Sequence, residues 1–292
     1  MLRSLLFIPG STPNKLIHID AMGADGVILD LEDAVSLEEK DAARILTRYT
    51  MQSLCTRSIQ IIVRINAIDS PYWRKDLAEI VPLRPDLVMP PKVKCAADIQ
   101  TVDAELACAE KRAGISEGTI GMLPLIEMAL GVENAFSIAS ASNRVKGLLL
   151  GGEDLTADLQ CKRTKAGAEI LYARTRLVCA ARAAGVDVFD TPFTDVHDDE
   201  GLQKDAEFAK GLGFSGKAAI SPRHVEAINS AFTPTEQEIS NAYEVLEAIA
   251  TAEAEGKGVA SLHGKMVDAP VVARAKSIIN TMEMLGMGRQ VL

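Results

Sequence analysis

The strongest constraint on the fold is a regular alternation of short apolar runs with longer amphipathic segments. The apolar runs cover residues 4–9, 26–31, 58–66, 86–90, 119–127, 145–151, 186–190 and 216–220. The helical patterns that follow them cover residues 13–21, 36–53, 72–80, 96–112, 131–140, 167–184, 199–212 and 222–231. Short runs that are apolar throughout are typical of strands buried on both faces, and this alternation predicts a parallel sheet. Eight such units predict an α/β protein with a (β/α)8 TIM barrel.

An open doubly wound sheet is the alternative to the barrel. It is disfavoured because no GxGxxG follows the first strand, and the Gly151-Gly152 pair is too short to replace that motif. Within the second helical pattern, Ser36 and Glu39 have the spacing of a capping box.

The last sixty residues have a different pattern. We expect residues 1–232 to form the catalytic barrel and residues 233–292 to form a helix–loop–helix extension. Its first helix has an apolar face that includes Ile239, Ala242 and Leu246, the segment SLHGKMVDAP reads as a loop, and a last helix runs from about residue 270 to 285. An apolar face on an appended helix pair needs a partner surface, which suggests an oligomer.

Charge and composition exclude several functions. The formal net charge is −9 and the pI is about 5.1, which argues against nucleic acid or an anionic membrane as the main partner. The N-terminal apolar run is too short for a signal peptide, so a cytoplasmic protein is expected. The cysteines, at positions 55, 95, 108, 161 and 179, are scattered and odd in number, which predicts free thiols.

Polar residues collect where the predicted strands end. They are Lys15, Asp30, Glu32, Asp33, Arg64, Asn66, Lys92, Glu127, Glu153, Asp154, Asp190 and Thr191. The strand starts are mostly non-ionisable, apart from Asp86, Lys146 and Lys217. Active sites of barrels lie at the carboxyl ends of the strands, so this asymmetry predicts an active site there.

Two of these carboxylates, Glu127 and Asp154, follow neighbouring strands. Two carboxylates plus waters are the ligands that Mg²⁺ usually takes from a protein, so the pair predicts a magnesium site with open positions for a 2-oxo acid. The alternative is a pair of helix-capping acids. A zinc site is not favoured because the histidines, at positions 18, 197, 224 and 263, have no ligand spacing.

The basic residues at the strand ends suggest anion binding. Arg64 lies in the apolar run IIVRIN and could bind a carboxylate or a developing oxyanion, or form an ion pair with the acids after strand 2. Lys92 could form a Schiff base, but neighbouring acids should raise its pKa, so an ion pair is preferred. A cluster after strand 6 (Lys162, Arg163 and Lys165) could hold phosphates together with Lys15, although a solvated loop is the simpler interpretation.

Several segments together resemble the citrate lyase β-subunit-like family, which also contains malyl-CoA and citramalyl-CoA lyases. They are LLFIPGSTPNK, GVILDLEDAVSLEEKDAAR, VRIN, MPPK, LIE, GGED, GFSGKAAISPRH and HGKMVDAP. The resemblance extends from residue 5 to about residue 273 and implies a Mg²⁺-dependent barrel that assembles as a homotrimer or hexamer.

The resemblance also implies roles for individual residues. Glu127 and Asp154 match the metal ligands of the family, and Arg64 matches its substrate-binding arginine. Glu32 and Asp33 match an acidic pair near the metal-bound waters. Asp268, in GKMVDAP, matches a catalytic aspartate that reaches the site of a neighbouring subunit. Lys15 lies where the family contacts the CoA phosphates. The residues expected to bind substrate or CoA are Arg64, Lys15, Lys92, Gly152 and Glu153.

The expected reaction is carbon–carbon cleavage of a 3-hydroxyacyl thioester of the malyl-CoA or citramalyl-CoA type to an acyl-CoA and a 2-oxo acid. The segments GGEDLTADLQCKRTKAG and DTPFTDVHDDEGL favour such a free-standing CoA-ester lyase. The alternatives are the β subunit of a citrate lyase complex, which would act on a citryl thioester, and a malyl-CoA thioesterase. A ligand-binding barrel without catalysis is disfavoured because each matched catalytic position keeps its residue type.

Overall fold

The computed structural model describes residues 1–54, 59–254, 256 and 258–287. Residue 58, where the third strand was expected to start, and Cys55 lie outside these described residues. The chain divides into two compact units, one of residues 2–229 and one of residues 230–292 together with Met1.

The larger unit is built on one parallel sheet, as the alternating pattern predicted. Its strands are β1 (Ser4–Pro9), β2 (Gly26–Asp30), β3 (Gln60–Arg64), β4 (Leu87–Met89), β5 (Gly121–Met122), β6 (Leu125–Ile126), β7 (Gly147–Leu150), β8 (Asp187–Asp190) and β9 (Gly216–Ala219). The order across the sheet is β5-β4-β3-β2-β1-β9-β8-β7-β6. The TIM-barrel-like α/β fold is therefore confirmed.

The fifth predicted strand, residues 119–127, is not one strand but two. Strand β5 pairs with β4, whereas β6 pairs with β7 on the opposite edge of the sheet. Pro124 lies between them and has no amide hydrogen for a continuous ladder. The edges of the sheet are consecutive in the chain, so this segment brings the sheet round into a closed barrel, and a parallel bridge from Met122 to Val145 adds to the closure.

Side chains from nearly every strand fill the barrel. This cluster consists of Leu5, Ile28, Ile62, Leu87, Met89, Leu123, Leu125, Leu149, Phe189 and Ala218. Alternate strand residues such as Val27 and Val63 lie outside that cluster but are equally inaccessible to solvent. Burial on both faces explains why these runs are apolar throughout rather than alternating.

The helices follow the strands in the expected places. They are α1 (Pro13–Leu16), α2 (Lys40–Ser53), α3 (Trp73–Ile80), α4 (Ala96–Arg112), α5 (Ala129–Glu133), α6 (Ala135–Ala139), α7 (Gly152–Asp158), α8 (Leu171–Ala184), α9 (Asp199–Leu212), α10 (Val225–Phe232), α11 (Glu236–Ala254) and α12 (Ala269–Met284). Along the described ranges, no helix has both the length and the apolarity to cross a membrane.

Three helix predictions need correction. The pattern over residues 13–21 forms only the one-turn α1 followed by a 3-10 turn, and that over 131–140 forms the short helices α5 and α6. Ser36 makes no side-chain cap hydrogen bond, because a 3-10 turn (Leu37–Glu39) separates it from the start of α2 at Lys40. Helix α7 was not predicted, and it begins directly after β7.

The C-terminal unit has a small core of its own. Ala242, Val245 and Ile249 of α11 pack with Val267 and Ala275. The segment expected as a loop instead contains a hairpin of β10 (Ala260–Leu262) and β11 (Lys265–Val267). Its two-residue turn has positive φ at both His263 and Gly264, the conformation that suits the twist of a tight hairpin.

Candidate active site

A cavity of about 320 Å³ opens at the carboxyl ends of the barrel strands. Its floor includes the apolar side chains of Phe7, Leu125 and Leu149. Its ionisable lining residues include Lys15, Asp33, Arg64, Glu127, Glu153 and Asp154. The cavity is therefore apolar at its base and charged around its wall, an arrangement typical of small-molecule sites.

Arg64 is held rigidly at the end of β3. Its Nε and Nη2 atoms donate to the two oxygens of Asp30, at 2.6 and 2.5 Å. Its guanidinium carbon lies 5.2 Å from the centre of the Phe7 ring. Burial works against the charge, but the bidentate bonds and the negative charge of Asp30 outweigh it and raise the pKa of Arg64. The third nitrogen, Nη1, lies 3.4 Å from Glu32 and 3.8 Å from Asp33.

The acidic turn after β2 wraps around Lys92. The ammonium of Lys92 donates to Glu32 at 2.5 Å and to Asp33 at 3.0 Å, and it lies 3.6 Å from Asp154. Burial opposes the charge of Lys92, yet these carboxylates raise its pKa. A neutral amine, which a Schiff base needs, is therefore unfavourable here, as predicted from the sequence.

The pKa values of the two acids in the Glu32–Asp33 pair are shifted in opposite directions. Desolvation and its contact with Asp33 raise the pKa of Glu32. Burial also acts on Asp33, but hydrogen bonds from Glu32 and Lys92 outweigh it and lower the pKa of Asp33. Of the two carboxylates, Glu32 therefore holds a proton more readily, and Asp33, which lines the cavity, ionises more readily.

Lys40 was not among the predicted site residues, but it anchors the acidic turn from below. Its buried ammonium donates to the carbonyl oxygens of Leu31 at 2.8 Å and of Glu32 at 2.6 Å. These bonds hold the backbone from which the Glu32 carboxylate extends to Lys92. The only indication in the sequence was a lysine on the buried side of α2, four residues after Ser36.

Glu127, at the end of β6, is only 3 % exposed. The backbone N–H of Lys92, a residue with φ of +52°, donates to its Oε1 at 2.9 Å. Burial raises the pKa of Glu127 to about 8, and the charges of Asp154 and Glu32 add to this effect, while Arg64 opposes it. The positive charge near the Glu127 carboxylate is therefore too little to offset its burial.

Asp154 reaches the same cavity from the first turn of α7, not from a strand end. Gly151, just before the helix, has to be glycine, because a Cβ atom there would lie 2.7 Å from Oε2 of Glu127. The Gly151-Gly152 pair, which is too short to replace a GxGxxG motif, therefore allows the backbone before Asp154 to pass against Glu127.

The donor set fits a divalent cation such as Mg²⁺. Glu127 and Asp154 line one cavity, Lys92 contacts both, and the buried charge of Glu127 lacks compensation. Across the described parts of the chain, no group of three or more His, Cys, Asp or Glu side chains is arranged to hold a metal ion by itself. Two carboxylates with open positions for water and substrate suit Mg²⁺ better than a closed metal site.

The remaining predicted residues lie at the rim of the cavity or outside it. Lys15 and the half-exposed Glu153 line the cavity mouth. Arg163 and Lys165 already pair with carboxylates, Glu169 at 2.8 Å and Asp195 at 2.6 Å, which favours the simpler interpretation of that basic cluster. Their proposed contact with phosphates stays untested.

Asp190 and Asn66 do not line the cavity. Asp190 forms a buried pair with Arg174 at 2.9 Å on the helix side of β8. Asn66 donates to the buried Asp76. Asp268 belongs to the C-terminal unit, where its side chain caps α12 by accepting a hydrogen bond from the N–H of Val271 at 3.3 Å. Its expected role at a neighbouring site stays a prediction.

Comparison with known proteins adds an independent finding. Residues 3–222 match the HpcH/HpaI aldolase/citrate lyase family. The chain is 43 % identical over 277 residues to the citrate lyase subunit beta of Leuconostoc mesenteroides subsp. cremoris, covering 95 % of this chain and 92 % of the relative. It is 34 % identical over 303 residues to the L-malyl-CoA/beta-methylmalyl-CoA lyase of Cereibacter sphaeroides, covering 97 % and 95 %.

A solved structure is also similar. The crystal structure of protein CitE from Mycobacterium tuberculosis in complex with magnesium, acetoacetate and coenzyme A has a TM-score of 0.78 and is 30 % identical. The match covers 96 % of this chain and 98 % of that chain.

Replacing Gly151 by alanine tests the contact with Glu127. The added methyl group would overlap the Glu127 carboxylate, so we expect Gly151→Ala to lower the free energy of unfolding by about 1–3 kcal/mol. Gly211→Ala is the matched control, because a Cβ atom at Gly211 in α9 meets nothing within 4 Å. Urea denaturation measures the free energy of unfolding of both variants and of wild type. A Gly151→Ala protein as stable as wild type would show that Glu127 is not confined as described.

The raised pKa of Glu127 predicts a pH-dependent stability in the presence of a chelator. The folded chain keeps this proton up to about pH 8, whereas the unfolded chain releases it near its ordinary pKa of 4.5. The free energy of unfolding should therefore fall as pH rises from about 5 to 8, by at most about 1.4 kcal/mol per pH unit from this group. Glu127→Gln removes this component, so the difference between variant and wild type should grow with pH in urea titrations. Parallel curves would contradict the assignment.

Proposed function

The chain belongs to the HpcH/HpaI aldolase/citrate lyase family, and from that premise we propose that it is the β-type lyase of a citrate lyase system. It would cleave a citryl thioester into oxaloacetate and an acetyl thioester. The observation that carries this choice is the 43 % identity to a citrate lyase β subunit over nearly the whole chain, against 34 % for a malyl-CoA lyase. Carbon–carbon lyase activity is common to both relatives, so the difference in identity bears only on the substrate. It favours the citryl thioester, expected as an alternative, over a malyl-CoA-type thioester.

The proposed reaction breaks the bond between the carbinol carbon and the CH₂ group next to the thioester. The hydroxyl loses its proton and becomes the ketone of oxaloacetate. The electron pair of the broken bond passes to the thioester as an enolate, which then takes a proton on carbon to give the acetyl thioester. The site therefore has to stabilise an anion, accept one proton and return one.

Arg64 is the proposed anion-binding group. Asp30 engages two of its nitrogens, so the guanidinium cannot rotate, and its remaining nitrogen faces the acidic side of the cavity. A substrate carboxylate or developing oxyanion on that side would meet a fixed, fully charged donor. Preorganised donors of this kind contribute a few kcal/mol each to stabilising the transition state.

The Glu32–Asp33 pair is the proposed acceptor of the hydroxyl proton. Asp33 lines the cavity and stays ionised, while Glu32 behind it holds a raised pKa and can retain the proton. Transfer would run from the hydroxyl to Asp33, directly or through one water, within the pair that Lys92 keeps together. Asp268 of a neighbouring subunit would supply the proton to the enolate carbon, as expected from the resemblance.

Glu127 and Asp154 would hold the Mg²⁺ ion, which supplies Lewis-acid polarisation of the substrate hydroxyl and carboxylate oxygens when bound. The magnesium in the similar CitE complex supports this assignment. The coenzyme A in the same complex supports a thioester ligand, with Lys15, Gly152 and Glu153 in the cavity lining to receive it.

A malyl-CoA-type thioester is the second candidate substrate. The malyl-CoA lyase relative covers 97 % of this chain at 34 % identity, which supports this candidate. A carrier-bound citryl group and a free CoA thioester differ in the tail rather than in the atoms that react. Homotrimeric or hexameric assembly belongs to the same proposal.

Substitution of the two proposed ligands tests the lyase assignment. We expect Glu127→Gln and Asp154→Asn each to lower turnover of citryl-CoA at least 100-fold, because each removes one of two charges that would hold the cation. Glu200→Gln, in an exposed pair with Lys204 on α9, is the control and should leave turnover unchanged. The assay follows oxaloacetate. Full turnover by either ligand variant, or by wild type in excess chelator, would reject the assignment.

A substrate panel decides between the two candidates. Citryl-, malyl-, methylmalyl- and citramalyl-CoA are compared by the 2-oxo acid released, and we expect citryl-CoA to have the highest kcat/KM. Higher kcat/KM for malyl-CoA would favour the second candidate, and CoA release without a 2-oxo acid would indicate a thioesterase.

The role of Asp268 in a neighbouring site predicts complementation between inactive variants. Asp268→Ala and Arg64→Ala should each be inactive alone, but mixed oligomers contain some sites with both residues intact. Co-expression with two affinity tags yields the mixed species, and partial recovery of citryl-CoA cleavage is expected. No recovery in oligomers proven to be mixed would contradict a role across subunits.

A further inference from the structure

Thr191 lies where β8 meets the cavity, and two independent contacts fix it. Its hydroxyl oxygen accepts a hydrogen bond from the N–H of Gly152 at 2.9 Å. Its carbonyl oxygen accepts one from the ammonium of Lys217 at 2.6 Å. The residue is 2 % exposed, so neither contact is exchanged for bulk water.

A balanced ionic cluster holds the carbonyl end of this arrangement. Lys217 also lies 2.6 Å from Asp190 and 2.6 Å from Asp205, and Arg174 pairs with the same two carboxylates at 2.9 and 2.7 Å. Two cations and two carboxylates buried together have little freedom, because losing one partner would leave a buried charge uncompensated. The carbonyl of Thr191 is therefore attached to a buried ionic cluster in which every member is paired.

The hydroxyl end of Thr191 fixes the first residue of α7. A Cβ atom on Gly152 would lie 2.8 Å from the Thr191 hydroxyl oxygen, so glycine is needed for this approach. Two residues later the helix presents Asp154. Over the described chain, the only polar contact of the Asp154 carboxylate is the 3.6 Å approach to Lys92, so the start of α7 has to determine where this carboxylate lies.

We propose that Thr191 is a positioning residue that sets the start of α7 through the Gly152 N–H and thereby aligns Asp154 for the cation. This inference rests on the proposed function, in which Asp154 is a metal ligand. Residues that orient metal ligands without touching the metal typically change its affinity by 10- to 100-fold when replaced.

The test measures Mg²⁺ affinity by titration calorimetry of the full-length protein with MgCl₂ alone. Thr191→Val keeps the shape and removes the acceptor, and we expect it to weaken Mg²⁺ binding by about tenfold or more. Thr191→Ser keeps the hydroxyl and should bind Mg²⁺ nearly as wild type does. Thr175→Val is the matched control: the hydroxyl of this exposed threonine of α8 donates to carbonyl oxygens of its own helix.

Gly152→Ala perturbs the same contact from the other side and is the second variant if Thr191→Val does not fold. It should weaken Mg²⁺ binding in the same direction. Wild-type affinity in a folded Thr191→Val or Gly152→Ala protein would overturn the inference, as would an equal loss in Thr191→Ser.

Asp154→Asn distinguishes a wrong metal assignment from a wrong positioning role of Thr191. If it binds Mg²⁺ as wild type does, the metal assignment in the proposed function fails, and the positioning inference fails with it. If Asp154→Asn loses affinity while Thr191→Val keeps it, only the positioning inference is wrong. If both lose affinity and Thr191→Ser does not, both are supported.

Discussion

Carboxylates that have been removed from water need positive charge, and this requirement organises the top of the barrel. Asp30, Glu32, Asp33, Glu127 and Asp154 meet there around two cations. Arg64 gives two nitrogens to Asp30 and keeps one near Glu32 and Asp33, whereas the ammonium of Lys92 contacts Glu32, Asp33 and Asp154. Its left-handed backbone, which a lysine rarely adopts, follows from the same requirement, since it allows the Lys92 N–H to reach Glu127 while the side chain reaches Glu32.

The helix side of the same barrel shows what a purely structural solution looks like. There Arg174 and Lys217 face Asp190 and Asp205, so charges are equal in number and every member is paired. Inside the cavity the carboxylates outnumber the cations, and the pKa of Glu127 rises to about 8. Strand-end charge alone therefore does not mark an active site. The uncompensated charge does, and it distinguishes Glu127 from Asp190, although the sequence places both at strand ends.

Much of the fold could be predicted because burial acts on each strand separately. A parallel strand covered on both faces has to be apolar, so residues 4–9 and 26–30 are visible as single runs. The errors arose where the backbone departs from that rule. Pro124 divides one apolar run between two edges of the sheet, and the hairpin of β10 and β11 depends on the left-handed turn at His263 and Gly264 rather than on a long alternating pattern.

The site was predictable in its charged residues but not in the contacts that hold them. Glu127 and Asp154 could be found because a carboxylate after an apolar strand is conspicuous. Gly151 and Lys40 could not, and Gly152 was expected only as a substrate or CoA contact, because the importance of these residues lies in what they approach. The two glycines leave space for Glu127 and Thr191, which are distant in sequence. Lys40 binds two backbone carbonyl oxygens, and because every residue has one, the residue types do not reveal this contact. Since a missing Cβ atom matters only when a neighbour occupies its place, such residues become visible only when the neighbouring strands are known. For the same reason the GGED segment carries two kinds of information: its acids indicate the chemistry, and its glycines make the geometry of those acids possible.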